Sequence, residues 1–199
     1  MGGKIFFMGV IAFLVAFCLL NSACGSEKTP AEYFNRGNSY LDSAEYEKAI
    51  IEYTKAIELY PNLEEAYYNR GIVYYKLEKY DKSNADFNKA VEINPNDADY
   101  YNNRGVTYQV LGKYDLAIQD YNKALEINPN LVEAYNNRGE AYLDLKEYDK
   151  SIAELNKALE INPDYGESYY HRGKCYEALG ETEKSKSDFA KAKELGYEG

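Results

Sequence analysis

Apolar and small residues recur along most of the chain at spacings of three, four and seven, which place them on one face of a helix. From Pro30 onward the same stripes return every 34 residues, dividing the chain into units at 30–63, 64–97, 98–131, 132–165 and 166–199. Within a unit, position 4 is Tyr33, Tyr67, Tyr101, Tyr135 or Tyr169, position 8 is Gly37, Gly71, Gly105, Gly139 or Gly173, and position 11 is Tyr40, Tyr74, Tyr108, Tyr142 or Tyr176. These define a first helix, A. Position 20 is Ala or Ser, position 24 is Tyr53, Phe87, Tyr121, Leu155 or Phe189, and position 27 is always Ala, which define a second helix, B. The small residues at 8, 20 and 27 let A and B approach closely, and the rings at 4, 11 and 24 fill the space beside them. Gly112 and Gly180 at position 15 stop helix A, and the Asn-Pro or Tyr-Pro pairs at 31 and 32 stop helix B. Ten helices and no strands are predicted.

Two positions break the apolar pattern in a regular way. Position 7 is always arginine (Arg36, Arg70, Arg104, Arg138, Arg172), and position 23 is always acidic (Glu52, Asp86, Asp120, Glu154, Asp188). An arginine on a half-buried flank needs a partner, so each pair is expected to close an ion pair within its own unit. An anion-binding arginine stripe is the functional alternative. In the last unit the apolar residues at positions 21 and 28 become Lys186 and Lys193. Terminal repeats carry such a polar face for solubility, so the array is expected to be complete at unit five.

The 34-residue recurrence of Tyr, Gly, Tyr, Ala and Pro resembles the tetratricopeptide repeat. The likeness covers residues 30–199 and departs at two positions, with tyrosine for the family's tryptophan at 4 and arginine for its leucine at 7. It implies an all-α fold, a right-handed α-solenoid of five helix-turn-helix repeats, and a role in holding a protein or extended peptide. In such solenoids the A helices line the inner groove, mainly with positions 2, 5, 6, 9, 12 and 13.

Residues 1–24 differ from the repeats. Lys4 is the only charge before Glu27, and residues 5–20 are apolar throughout. That run suits a secretory signal and is short for a membrane span, which needs about 20 residues. The stretch Leu20-Asn21-Ser22-Ala23-Cys24 resembles the lipobox of bacterial lipoproteins, whose lipid-modified cysteine becomes the mature N-terminus; the family prefers leucine where Asn21 stands. The resemblance implies lipidation of Cys24 and a linker at 25–29. Simple cleavage and a retained anchor are the other readings. All three place the repeats outside the cytoplasm of an enveloped bacterium, because the positive charge precedes the apolar run.

Charge and chemistry narrow the function. With 33 acidic residues against 23 basic ones, the net charge of −10 argues against nucleic acid as a partner. Of three cysteines, Cys18 and Cys24 lie in the apolar leader and only Cys175 in the repeats, so no disulfide framework is expected. His171, the single histidine, shares a helix face with Cys175. They sit where other units carry Asn and small residues, with no further ligand spaced nearby, so they read as structural. No phosphate loop, cofactor motif, metal site, catalytic group or small-molecule site is indicated.

The groove positions carry the remaining signal. Position 6 is Asn35, Asn69, Asn103 and Asn137, then His171. Carboxamides both donate and accept, so the row could hold a peptide backbone; glycosyltransferase relatives of the family carry a similar ladder. A plain polar face is the alternative. Tyr68, Ile72 and Tyr75 of unit two and Val106 and Val110 of unit three form an apolar middle, flanked by Asp42, Asp99, Glu140 and Asp144. The acids at position 2 exclude the lysine-based carboxylate clamp known in one subgroup of the family.

Overall fold

The computed structural model describes residues 28–199; the expected leader and Cys24 lie outside them. Ten α-helices follow one another without a strand among the described residues: α1 Pro30–Asp42, α2 Tyr46–Leu59, α3 Glu64–Lys76, α4 Tyr80–Ile93, α5 Ala98–Val110, α6 Tyr114–Ile127, α7 Val132–Asp144, α8 Tyr148–Ile161, α9 Gly166–Ala178 and α10 Thr182–Glu194. Odd-numbered helices are the A helices and even-numbered ones the B helices of the five units. The stack is an α-solenoid.

Each unit is held by a glycine against a large side chain. A Cβ built on Gly37, Gly71, Gly105, Gly139 or Gly173 would stand 2.5–2.8 Å from Tyr53, Phe87, Tyr121, Leu155 or Phe189 respectively. Only a residue without Cβ lets the position-24 side chain lie flat on helix A. Positions 3 and 10, except for the exposed Glu32 and Ser39 of unit one, turn the other way, onto the preceding unit: Val73, Thr107, Ala141 and Cys175 are fully buried, as are Ala66, Ala134 and Ser168.

The A-to-B turn closes identically in every unit. The N–H of position 16 donates to the carbonyl of position 11, as Lys79 does to Tyr74 and Glu147 to Tyr142. That geometry puts position 15 in the left-handed region, at φ 70° and 76° for Gly112 and Gly180. Ala44, Glu78 and Lys146 adopt it too, at φ 55–61°. The sequence marked only the two glycines; in the other units the paired carbonyls at positions 11 and 12 hold the turn despite the cost of a Cβ there. Among the described helices only α1 starts with a full capping box, Thr29 with Glu32.

The solenoid has an inside and an outside. Consecutive A helices touch one another, α1 with α3 through α7 with α9, whereas no two B helices do among the described residues. The A helices are therefore on the crowded, concave side. At the C-terminal end Lys186 and Lys193 are exposed, where their counterparts Ile50, Ile57, Ile118, Leu125, Ile152 and Leu159 are buried or half-buried.

Candidate functional site

The arginine ladder forms as the sequence predicted, with an added arm. In units with aspartate at position 23 the guanidinium closes a two-bond fork: Arg104 Nε donates to Asp120 Oδ2 at 2.7 Å and Nη2 to Oδ1 at 2.6 Å. Arg70–Asp86 and Arg172–Asp188 match it. Glutamate, one methylene longer, fits less well. Arg138 reaches Glu154 through Nη2 alone and its Nε is unsatisfied, and Arg36 stands 3.5 Å from Glu52. The third nitrogen crosses to position 25 of the preceding unit, Arg70 to Thr54, Arg104 to Asn88, Arg138 to Asn122 and Arg172 to Asn156. The tyrosines at positions 4 and 11 flank the same group, Tyr101 at 5.3 Å and Tyr108 at 5.9 Å from Arg104. With donors and faces occupied in Arg70, Arg104 and Arg172, and every arginine paired to the acid of its own unit, the stripe is structural.

The concave face gathers the predicted groove residues unevenly. Ile72, Tyr75, Asn103 and Val106 line one cavity of about 410 Å³, together with Lys76, Glu78, Tyr80 and Phe87. Ile72 and Val106 are half-buried, and Val110 is exposed beyond the cavity. Tyr68 does not line the cavity but packs against Phe87, which does. It packs between Phe87 and Tyr100 at 5.8 and 4.7 Å, accepts a hydrogen bond from Asn103, and burial pushes its phenol up to about 12.

The asparagine row is partly committed sideways. Asn69 donates to Asn38 at 2.9 Å, Asn103 to the Tyr68 hydroxyl at 2.9 Å, and Asn137 to Asn102 at 3.1 Å, each reaching the preceding unit. Asn35 is exposed, with no unit before it in the described array. One amide hydrogen of each bridging asparagine thus joins units, while the Oδ1 atoms receive no hydrogen bond from the described residues and stay available as acceptors.

His171 continues this row. Its Nε2 lies 3.7 Å from Glu140, its Nδ1 is buried without a partner, and burial with Lys174 nearby lowers its pKa to about 4. Cys175 is engaged elsewhere, donating to Ser151 Oγ at 3.1 Å, so the structure does not pair the two. No cluster of three or more metal-ligating side chains occurs among the described residues. Because the imidazole is held neutral when folded but has an ordinary pKa of 6.5 when unfolded, its contribution to stability is full above pH 6.5 and is lost as pH falls toward 4. The whole loss is about 3 kcal/mol. Glu140, pushed up by burial, Asp144 and Glu167, acts in the opposite sense. His171→Asn, the residue of the other units, is expected to remove the histidine's share, so that urea melts of the two proteins diverge below pH 6.5 and agree above it.

Family models described as tetratricopeptide repeat match residues 64–97, 98–131, 120–153 and 166–195, and a TPR repeat model matches 37–78 and 139–180. The chain belongs to the tetratricopeptide-repeat family. Repeats of this kind make it a protein-interaction scaffold. Among solved structures, YrrB, a TPR protein described as having an unusual peptide-binding site, is 27% identical, with 82% of this chain and 84% of that one covered and a TM-score of 0.66. MamA from Desulfovibrio magneticus RS-1 (22% identity, 86% and 97% covered, TM-score 0.76) and PilF from Pseudomonas aeruginosa (19%, 85% and 78%, TM-score 0.77) share the fold. A comparison with curated proteins gave no match.

Proposed function

We propose that this TPR solenoid binds an extended peptide segment of a partner protein in its concave groove, outside the cytoplasm of an enveloped bacterium and tethered by a lipid on Cys24. The observation that carries the groove reading is the 410 Å³ cavity between units two and three, whose lining side chains Ile72, Tyr75 and Val106 remain half-exposed in an otherwise acidic protein. Ile72→Asp with Val106→Asp is expected to reduce partner capture from envelope extracts by about tenfold or more, since apolar contacts central to an interface carry most of its energy. Helical content and melting should be unchanged, because both side chains already reach solvent. Unchanged capture would move the binding surface elsewhere. The sequence supports the location: a short apolar leader, one preceding lysine and a small-residue run to Cys24. Mass spectrometry of the mature protein is expected to find an acylated Cys24 and no residues 1–23; an intact Met1 or unmodified Cys24 overturns this part.

A second reading, a structural subunit that docks by its outer face or ends, is favoured by Ile51, Leu59 and Tyr60 of unit one, which are exposed at 52, 54 and 51%. Photo-crosslinkers at position 106 and at position 51 separate the two, since only the face in use yields a partner adduct.

A further inference from the structure

Resting on the groove reading, we infer that the groove selects a segment carrying an apolar or aromatic side chain followed, about three residues on, by lysine or arginine. The apolar half of this specificity comes from the cavity. Its walls are Ile72, Val106 and the rings of Tyr75, Tyr80 and Phe87, and its volume accepts a large side chain while its mouth stays open to the groove. The Tyr75 and Tyr80 rings meet edge to face at 5.4 Å, which fixes the wall and favours a planar guest.

The basic half comes from the next unit. Glu140 and Asp144 stand one helical turn apart on α7, and Asp144 is bonded to Gln109 on α5, the helix whose Val106 lines the cavity; burial, Tyr80 and the Glu140 charge together push up the Tyr75 phenol on the cavity wall. Asp144 is held by Gln109, which donates to it at 3.1 Å while accepting from Tyr121 at 2.9 Å. Glu140 has the His171 Nε2 at 3.7 Å, an imidazole that is neutral near pH 7, while burial, Asp144 and Glu167 push the Glu140 carboxyl up and Gln109 and Lys174 offset part of that. Asp99, Glu133 and Glu167 add negative charge along the same face, against Lys76 and Lys174. The carboxyls of Glu140 and Asp99 are held above their ordinary values by burial and by these like charges. A cation entering here is drawn to Glu140 and relieves that repulsion. Neighbouring A helices lie about 10 Å apart, which an extended chain crosses in about three residues. The free Oδ1 of Asn103, on the cavity wall, and of Asn137, on the way to Glu140, can accept backbone N–H groups between the two anchors.

Fluorescence anisotropy with the purified full chain tests this. The probes are labelled eight-residue peptides of serine and glycine carrying one phenylalanine and, three places on, arginine, serine or glutamate. The arginine peptide is expected to bind about tenfold more tightly than the glutamate peptide at low salt. Raising the salt, or changing Glu140→Gln together with Asp144→Asn, should compress that ratio to about threefold or less. Equal binding of the arginine and glutamate peptides, both lost on Ile72→Asp with Val106→Asp, overturns the basic specificity and leaves the groove reading standing. Failure of every peptide to bind, or binding that ignores the cavity variant, overturns both. If the Glu140/Asp144 variant melts early, high salt on the unaltered protein gives the same readout.

Discussion

Replacing Arg104 with leucine is expected to lower the unfolding free energy by about 3–5 kcal/mol at neutral pH. Leucine is what the repeat family carries at this position, yet here it would strand Asp120, which is only 6% exposed and is held by the guanidinium fork. The tie to Asn88 and the stacking against Tyr101 and Tyr108 would go with it. Burial already pushes the Asp120 carboxyl up with Arg104 in place. Without the arginine it rises further, so the folded variant holds a proton that the unfolded chain releases near pH 4. Stability of the variant therefore falls as pH rises above about 4 and through the raised pKa. Urea melts at pH 4 and pH 7 should show a smaller deficit at the lower pH, and adding Asp120→Leu should recover most of it at pH 7. A deficit below about 1 kcal/mol at pH 7 would mean that the ladder does not support the fold.

Gly105→Ala is expected to destabilise by about 2 kcal/mol, against the helix propensity that favours alanine by about 1 kcal/mol. The new methyl would stand 2.6 Å from Tyr121 Cε1. That ring is fully buried and its hydroxyl is tied to Gln109, so it has no free rotamer to retreat into. The equivalent change at Gly112, where no atom lies within 4 Å of a Cβ, probes only the turn's backbone and serves as the control. A Gly105→Ala protein as stable as the parent, by denaturant melts, would show that the A and B helices slide apart at no cost.

Much of this was legible in the sequence because the repeat reports on itself. Five copies of glycine at position 8 and a large side chain at 24, sixteen residues apart, could be read as one contact, and so could the arginines and acids at 7 and 23. What a single unit's pattern could not show is how far each unit is offset from the next. The crossing of Arg104 to Asn88, the donation of Asn137 to Asn102 and the burial of Val73 and Thr107 against the preceding unit all depend on that offset. For the same reason the asparagine row read as two-handed hydrogen-bonding groups facing a ligand, whereas one hand of each bridging member reaches the neighbouring unit. The left-handed turn at Glu78 and Lys146 escaped notice because it is enforced by carbonyls at positions 11 and 12 and not by the residue that adopts it. In the groove, periodicity puts Tyr68 and Ile72 on one face of α3, but the ring's destination between Phe87 and Tyr100, outside the cavity lining, follows from a tyrosine that occurs at position 3 in unit three alone.

The uneven contact between helices gives the molecule the mechanics of a coiled spring. Units are joined chiefly where each B helix packs on the next unit's A helix, with a narrower seam of A helix against A helix on the inside, and the outer rim of B helices has no seam of its own among the described residues. A small rotation at one junction leaves the rim free to fan open or close, and four such junctions in series add their rotations. The span between the units-two-and-three cavity and Glu140 therefore changes with curvature, while the glycine-locked interior of each unit stays rigid. A segment gripped at both places acts as a strut across the coil, and holding it sets the pitch of the whole array.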